Sequence, residues 1–320
     1  MWKTIVRRFL IMIPQLFVLS LIIFIMAQFM PGDPFTGAIT PDTDPARIEE
    51  LREKNGLNDP WYQQYARWMG NAFQGDFGLS YTFKRDVVDL IGERALNTFW
   101  LSIVSVIMLY AIAIPLGVLA GRYHNSWLDK SIILYSFISY AIPTFILALL
   151  FLFFFGYTLD WFPTSGSVDI KHDPGTFGYF ISKLYHILLP AFTYAVLGTT
   201  TVIQYLRSEI IDAKVQDYVR TARSKGIPMK KVYSRHIFRN SLLPIAAFLG
   251  FTITGLLGGS IFIETIFGYQ GMGQLFISSI TSRDYSVITA LVMLYGFLAL
   301  LGSLLSDIIM SIVDPRIRIE

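Results

Sequence analysis

Cysteine is absent from this 320-residue chain, which excludes disulfides, iron–sulfur clusters and thiolate-held zinc. Histidine is nearly as rare: with four scattered residues (His124, His172, His186 and His236), no protein-held metal is expected. Charge is scarce too, at 15% of residues against 53% hydrophobic, where soluble chains carry about a quarter charged. The formal net charge of +3 is too small to imply nucleic acid. No Gly-x-x-x-x-Gly-Lys-Ser/Thr run occurs, so the chain has no phosphate-cradling loop for ATP. Its apolar runs also lack the chain of Asp, Glu and His residues that an ion-driven carrier needs at membrane depth.

What is present is apolar sequence in lengths that cross a bilayer, about 20 residues each. The pattern predicts six spans, roughly 9–30, 97–121, 131–157, 187–206, 241–267 and 286–312. The first is too long for a secretory signal, and Met30-Pro31-Gly32 makes a poor cleavage site, so it is read as a retained helix. Every span but the last carries a proline (Pro14, Pro115, Pro143, Pro190, Pro244), which a membrane helix tolerates when its neighbours satisfy the freed carbonyl. Gly250, Gly255, Gly258 and Gly259 allow close helix approach in the fifth span, as packing or as a flexible gate.

Lys and Arg set the expected orientation. Segments 1–8, 122–130, 207–240 and 313–320 hold 16 of the 26, although the opposite segments are nearly twice as long. Both termini are therefore expected in the cytoplasm. The expected organisation is a tail and first span (1–30), an outer helical segment (31–96), a five-span core (97–313) and a cytoplasmic tail (314–320). Within the outer segment Asp44-Pro45 and Asp59-Pro60 each read as a helix start, the first closed by Gly56. Trp61, Tyr65, Trp68, Met69 and Phe73 follow at helical spacing, for packing on the membrane or its spans, or for docking an outside protein.

The richest cytoplasmic segment is 207–240, with nine Lys and Arg. Asp217 to Gly226 reads as a short helix with an acidic cap and a terminal glycine; Gly226-Ile-Pro228 breaks it, and Met229 to Asn240 forms a second, basic helix. A loop that only held orientation and met anionic lipid would not need two capped helices. Glu264, near the outer end of its span, is open to three roles: binding a peptide amino terminus, capping, or pairing with Arg283. Asp307 lies near the cytoplasmic end, within reach of the interface or a partner. Gly268-Tyr-Gln-Gly-Met-Gly273 follows no strand and reads as a tight outer loop, not a nucleotide site.

Tyr218-Val-Arg-Thr-Ala-Arg-Ser-Lys-Gly226 followed by Arg235-His-Ile-Phe-Arg-Asn-Ser-Leu-Leu-Pro244 resembles the signature loop of ABC-importer membrane subunits. Its long glycine-to-Leu-Pro gap resembles the oligopeptide and dipeptide permease branch. Arg7-Arg8, Met30-Pro-Gly-Asp-Pro34, Gly56-Leu-Asn-Asp-Pro60, Gly75-Asp-Phe-Gly78, Asn97-Thr98, Glu264-Thr-Ile-Phe267, Arg283-Asp-Tyr285 and Asp314-Pro-Arg-Ile-Arg318 extend the likeness over nearly the whole chain. It is most similar to the first of two paired permease subunits in Gram-positive oligopeptide systems. The resemblance implies an all-α integral membrane fold, a six-helix type I ABC-importer domain with an extracellular helical insertion after the first helix. It implies no catalysis and no cofactor on this chain, with ATP and Mg on partner subunits. The implied partners are a second homologous permease, two ABC ATPase subunits, an extracellular peptide-binding lipoprotein and membrane lipid, with no nucleic acid. The short helix would be a coupling helix seated in an ATPase groove. Tyr218, Val219 and Ala222 would fill that groove, Asp217 would cap the helix, Arg220, Arg223 and Lys225 would pair at its rim, and Gly226 would turn the chain. Thr252, Thr254, Ser260, Glu264 and Thr265 are candidates for a translocation path. A secondary transporter and an intramembrane enzyme remain the competing readings, separable by ATP-dependence of uptake and by hydrolase activity of the isolated chain.

Overall fold

The computed structural model describes residues 2–29, 53, 58–80 and 82–313. Apart from residue 53, the expected helix between Asp44 and Gly56 lies outside the described residues, as do the motifs at 30–34 and 314–318. Helix α1 (Trp2–Phe29) leads in, and the outer segment contributes α2 (Trp61–Phe73) and a small antiparallel hairpin of β1 (Leu79–Ser80) and β2 (Arg85–Asp86), with Leu79 opposite Asp86. The membrane helices follow: α3 (Val87–Arg122), α4 (Trp127–Ala141), α5 (Thr144–Phe151), which runs on as a π-helical turn (Leu152–Thr158), and α6 (Phe177–Lys214). Next comes the loop between membrane helices, with α7 (Asp217–Ser224), α8 (Met229–Lys231), a π-helical turn (Val232–Ile237) and α9 (Phe238–Ser241). The chain ends with α10 (Leu243–Leu257), α11 (Ile261–Ile266), α12 (Met272–Ser282) and α13 (Tyr285–Val313).

Among the described residues, five apolar segments are long enough to cross a membrane: Val6–Phe29, Val87–Arg122, Phe177–Lys214, Phe248–Ile266 and Tyr285–Ile312. The span expected at 131–157 is instead two helices, α4 and α5, bent by 103°. Pro143 is the cause, because it caps the start of α5 instead of being carried inside one helix. Pro14, Pro115 and Pro190 do sit inside continuous helices, and Pro244 lies in the first turn of α10. The span expected at 241–267 also breaks, between α10 and α11. Gly259 turns there at φ +81°, and the Ser260 hydroxyl accepts the Ile263 amide to start α11.

The bundle is built on α3 against α6, α10 against α13, and α1 against α13. Small residues set these distances, as expected where lipid supplies no hydrophobic drive between helices. A Cβ on Gly121 would lie 2.7 Å from the Ile210 Cβ, so only glycine lets α3 meet α6 there. Gly250 and Gly302 do the same between α10 and α13, the first against the Ser306 backbone and the second against Thr254. At the ends the helices are tied by charge: Arg8 Nε sits 2.9 Å from Asp307, joining α1 to α13. The buried Asp129 receives Arg207 Nε at 2.6 Å and the second guanidinium nitrogen at 2.9 Å, joining α4 to α6.

Outside the core, α2 lays its aromatic stripe on α1. Tyr65 meets Phe24 edge-on at 5.3 Å and its hydroxyl bonds Ser20 at 2.8 Å, while Trp68 also stands against Phe24. Packing on a neighbouring span is thus the role of that part of the stripe, with Trp61 and Phe73 left exposed.

Candidate functional site

Three places carry the residues singled out by sequence: the loop around α7, the knot around Glu264, and the open side of α10. The α7 helix ends as expected. Gly226 adopts φ +71°, its amide bonds the Arg223 carbonyl, and the Ile227 amide bonds the Ala222 carbonyl at 3.2 Å. This paired closure satisfies the last carbonyls and reverses the chain. Its start differs from expectation. Gln216 holds the capping position, and no side chain caps the helix; Asp217 is the first helical residue, exposed and 3.5 Å from Arg220. An exposed pair of this kind contributes little.

The larger correction concerns the face of α7. Val219 and Ala222, expected to enter a partner's groove, are buried in the chain itself at 0% and 4% exposure. They pack in one cluster with Leu206, Ile210, Ile237 and Ile245, and with Ile227 beside them. The reason is geometric: positions three apart share a face, and this face has the bundle's apolar end to cover. The outward face is therefore polar and cationic, with Tyr218, Arg220, Arg223, Ser224 and Lys225 exposed. The base under it is fixed from α3 and α6. Lys214 Nζ donates to the Gly121 and Arg122 carbonyls, closing the end of α3, and the Arg122 guanidinium lies 5.0 Å from the Tyr233 ring.

Glu264 resolves to the capping role. It is fully buried in α11, and its carboxylate accepts the Thr98 hydroxyl at 3.0 Å and the amides of Gly273 (2.7 Å) and Gln274 (3.1 Å). Those amides open α12, so the negative group sits where a helix presents free donors. Thr98 Oγ in turn accepts the Met272 amide, Asn97 donates to the Gln270 carbonyl, and the Tyr269 hydroxyl donates to the Asn97 carbonyl. Burial, helped by the Glu264 charge, pushes the Tyr269 hydroxyl well above its ordinary value, so it stays a donor. The glycines of 268–273 serve this knot: a Cβ on Gly271 would lie 2.5 Å from both Glu264 and Thr98. Arg283 closes α12 at φ +58° and takes no part. The adjacent Asp284, also buried, accepts from Ser80 Oγ and the Thr82 amide, holding the β hairpin to the start of α13.

The five path candidates are scattered. Thr254 is buried and bonds back to the Gly250 carbonyl, Ser260 caps α11, Glu264 lies in the knot and Thr265 is exposed. Thr252 alone lines an open pocket of about 340 Å³ between α3, α6 and α10. Tyr110, Tyr194, Thr201 and Tyr205 line it as well, none of them signalled in advance, because a hydroxyl in an apolar span has no period that marks it.

Comparison with known proteins accounts for this arrangement. The model of the binding-protein-dependent transport system inner membrane component matches residues 113–319, and that of the N-terminal part of such membrane components matches 1–102. The chain is similar to the oligopeptide transport system permease protein AppB of Bacillus subtilis (strain 168), at 40% identity over 98% of both chains. It is also similar to the glutathione transport system permease protein GsiC of Escherichia coli (strain K12), at 32% identity over 99% of both. Among solved structures, the inward-facing MetNI methionine ABC transporter shares the fold, with a TM-score of 0.55 at 17% identity over 70% of this chain and 96% of that one. A multi-pass bundle with that fold, matched end to end by permease models and permease relatives, belongs to the binding-protein-dependent transport system inner membrane components, the permease subunits of ABC importers.

Proposed function

We propose that this chain is the first of two paired permease subunits of an importer for short peptides. The peptide class is supported by the two named relatives, one an oligopeptide permease and one a permease for glutathione, itself a tripeptide. In this reading the chain has six spans, with α4 and α5 together forming the bent third, and the outer segment 31–96 is an extracellular insertion. Both termini and the loop 207–240 face the cytoplasm. ATP and Mg are held by two separate ATPase subunits, and a binding lipoprotein delivers peptide from outside. Residues 217–226 are the coupling element.

The observation that carries the reading is the division of α7 into two faces. Val219 and Ala222 are locked among Leu206, Ile210 and Ile245, so α7 is keyed to α6 and α10 and moves with them. Tyr218, Arg220, Arg223 and Lys225 project outward as a cationic rim suited to carboxylates on an ATPase. Force applied to the outer face therefore reaches membrane helices directly.

Gly226→Val tests this in the assembled transporter. A Cβ at Gly226 would meet nothing within 4 Å, so the substitution acts through its φ of +71° alone, at about 1–2 kcal/mol for a β-branched residue. ATP-driven peptide uptake should fall at least tenfold while membrane levels hold, and Arg223→Glu should weaken ATPase co-purification less severely. Normal uptake and normal ATPase co-purification in both variants would reduce the loop to an orientation signal and overturn the assignment.

A further inference from the structure

Resting on that reading, we propose that the pocket between α3, α6 and α10 is a transit subsite that takes an uncharged side chain of the passing peptide. Its walls come from three apolar segments long enough to cross the membrane, so it lies at membrane depth. None of its lining residues is acidic, basic or histidine, yet five carry hydroxyls: Tyr110, Tyr194, Thr201, Tyr205 and Thr252. Membrane helices use hydroxyls to bond across their contacts, and here five of them converge on one open space. One of them, Tyr110 Oη, is sealed from solvent and interacts with Thr252 across the wall.

Size and charge narrow the occupant. At about 340 Å³ the pocket lies near the lower end for a ligand site, room for one large side chain with its flanking backbone and not for a whole oligopeptide. Tyr205 and Phe248, at a centroid distance of 5.2 Å, give it an aromatic edge. With no countercharge available, an acidic or basic side chain would lose hydration for nothing in return, whereas an aromatic or aliphatic one gains burial. The pocket wall is also shared with the coupling element, because Tyr110, Val202 and Ile245 belong to the same packed cluster as Val219 and Ala222. Movement of α7 would reshape the subsite, as hand-over of a passing side chain requires.

The test uses the complete transporter in proteoliposomes, with saturating binding lipoprotein so that delivery is held constant. The probes are alanine pentapeptides carrying one central Phe, Lys or Asp, compared with the all-alanine peptide. Gly255→Leu fills the pocket from a position where an added Cβ meets nothing within 4 Å. It should lower Phe-peptide uptake about tenfold relative to the all-alanine peptide. Thr201→Asp places a charge in the wall and should raise the Lys-to-Asp uptake ratio about tenfold. Ratios unchanged from wild type in both variants would overturn the subsite while leaving the peptide-importer reading intact. An equal fall for every peptide, with loss of the second permease on co-purification, would also overturn it, showing a groove filled by that subunit. No uptake of any probe by the wild-type complex would bring down the reading and the subsite together.

Discussion

At the scale of single residues, the firmest object in the molecule is the Glu264 carboxylate. A charged group fully buried at the end of a membrane segment persists only if its oxygens are occupied, and here a hydroxyl and two helix-opening amides occupy them. Thr98 is the central member because its one hydroxyl both donates to Glu264 and accepts from the Met272 amide. Thr98→Val, nearly the same shape, should therefore cost about 1–3 kcal/mol, and Thr98→Ser should recover most of it. Thermal scanning of the detergent-solubilised permease by tryptophan fluorescence checks this, and equal melting of Val and parent forms would refute the knot as a stabilising unit. Capping was one of three roles the sequence left open for Glu264. The choice among them was not legible, because the capped amides lie nine and ten residues further on, beyond α11 and a glycine-rich turn. The positive φ of Gly226, by contrast, was legible from one residue, since a glycine ending a short helix before Ile-Pro has few other uses.

Among elements, α7 shows how far pattern reaches in a helix of eight residues. Its extent and its closing turn follow from local chemistry, whereas its buried side does not. Val219 and Ala222 mark one face, and periodicity alone cannot say whether that face meets the chain's own bundle or a foreign groove. The deciding fact is tertiary: Ile210, Ile237 and Ile245 leave an apolar floor that something must cover. It follows that the two faces of α7 should fail differently. Val219→Asp puts a carboxylate where exposure is 0% and should cost several kcal/mol, lowering the amount of permease recovered from membranes. Arg220→Glu, on the exposed face, should leave that amount unchanged. Quantitative immunoblots of washed membranes distinguish them, and equal recovery of both variants would mean that α7 is not seated on the bundle as described. The prolines teach the same lesson. Pro115 and Pro143 look alike in sequence, yet one is absorbed by a continuous helix and the other begins a new one after a 103° bend.

For the molecule as a whole, five of the six expected spans were readable because lipid imposes length and apolarity on every crossing segment, independent of packing detail. Their ends were not: α3 and α6 extend well past the apolar runs, since nothing stops a helix from continuing into water at the bilayer edge. The inner surface was the least legible feature. Tyr110, Thr201 and Thr252 come from three segments distant in sequence and meet only once the bundle closes. Orientation, however, is a property of the whole chain that Lys and Arg report directly, and it yields a clean experiment because no native cysteine interferes. Single cysteines at Ser224, in α7, and at Asp173, in the exposed stretch before α6, sit at opposite ends of α6. With 16 of the 26 basic residues in the segments expected on the α7 side, a membrane-impermeant maleimide added to intact cells should label the Asp173→Cys variant and spare Ser224→Cys. Permeabilised cells should label both. Labelling of Ser224→Cys from outside, with Asp173→Cys protected, would invert the bundle, leave α7 facing away from any cytoplasmic ATPase, and end the coupling assignment at once.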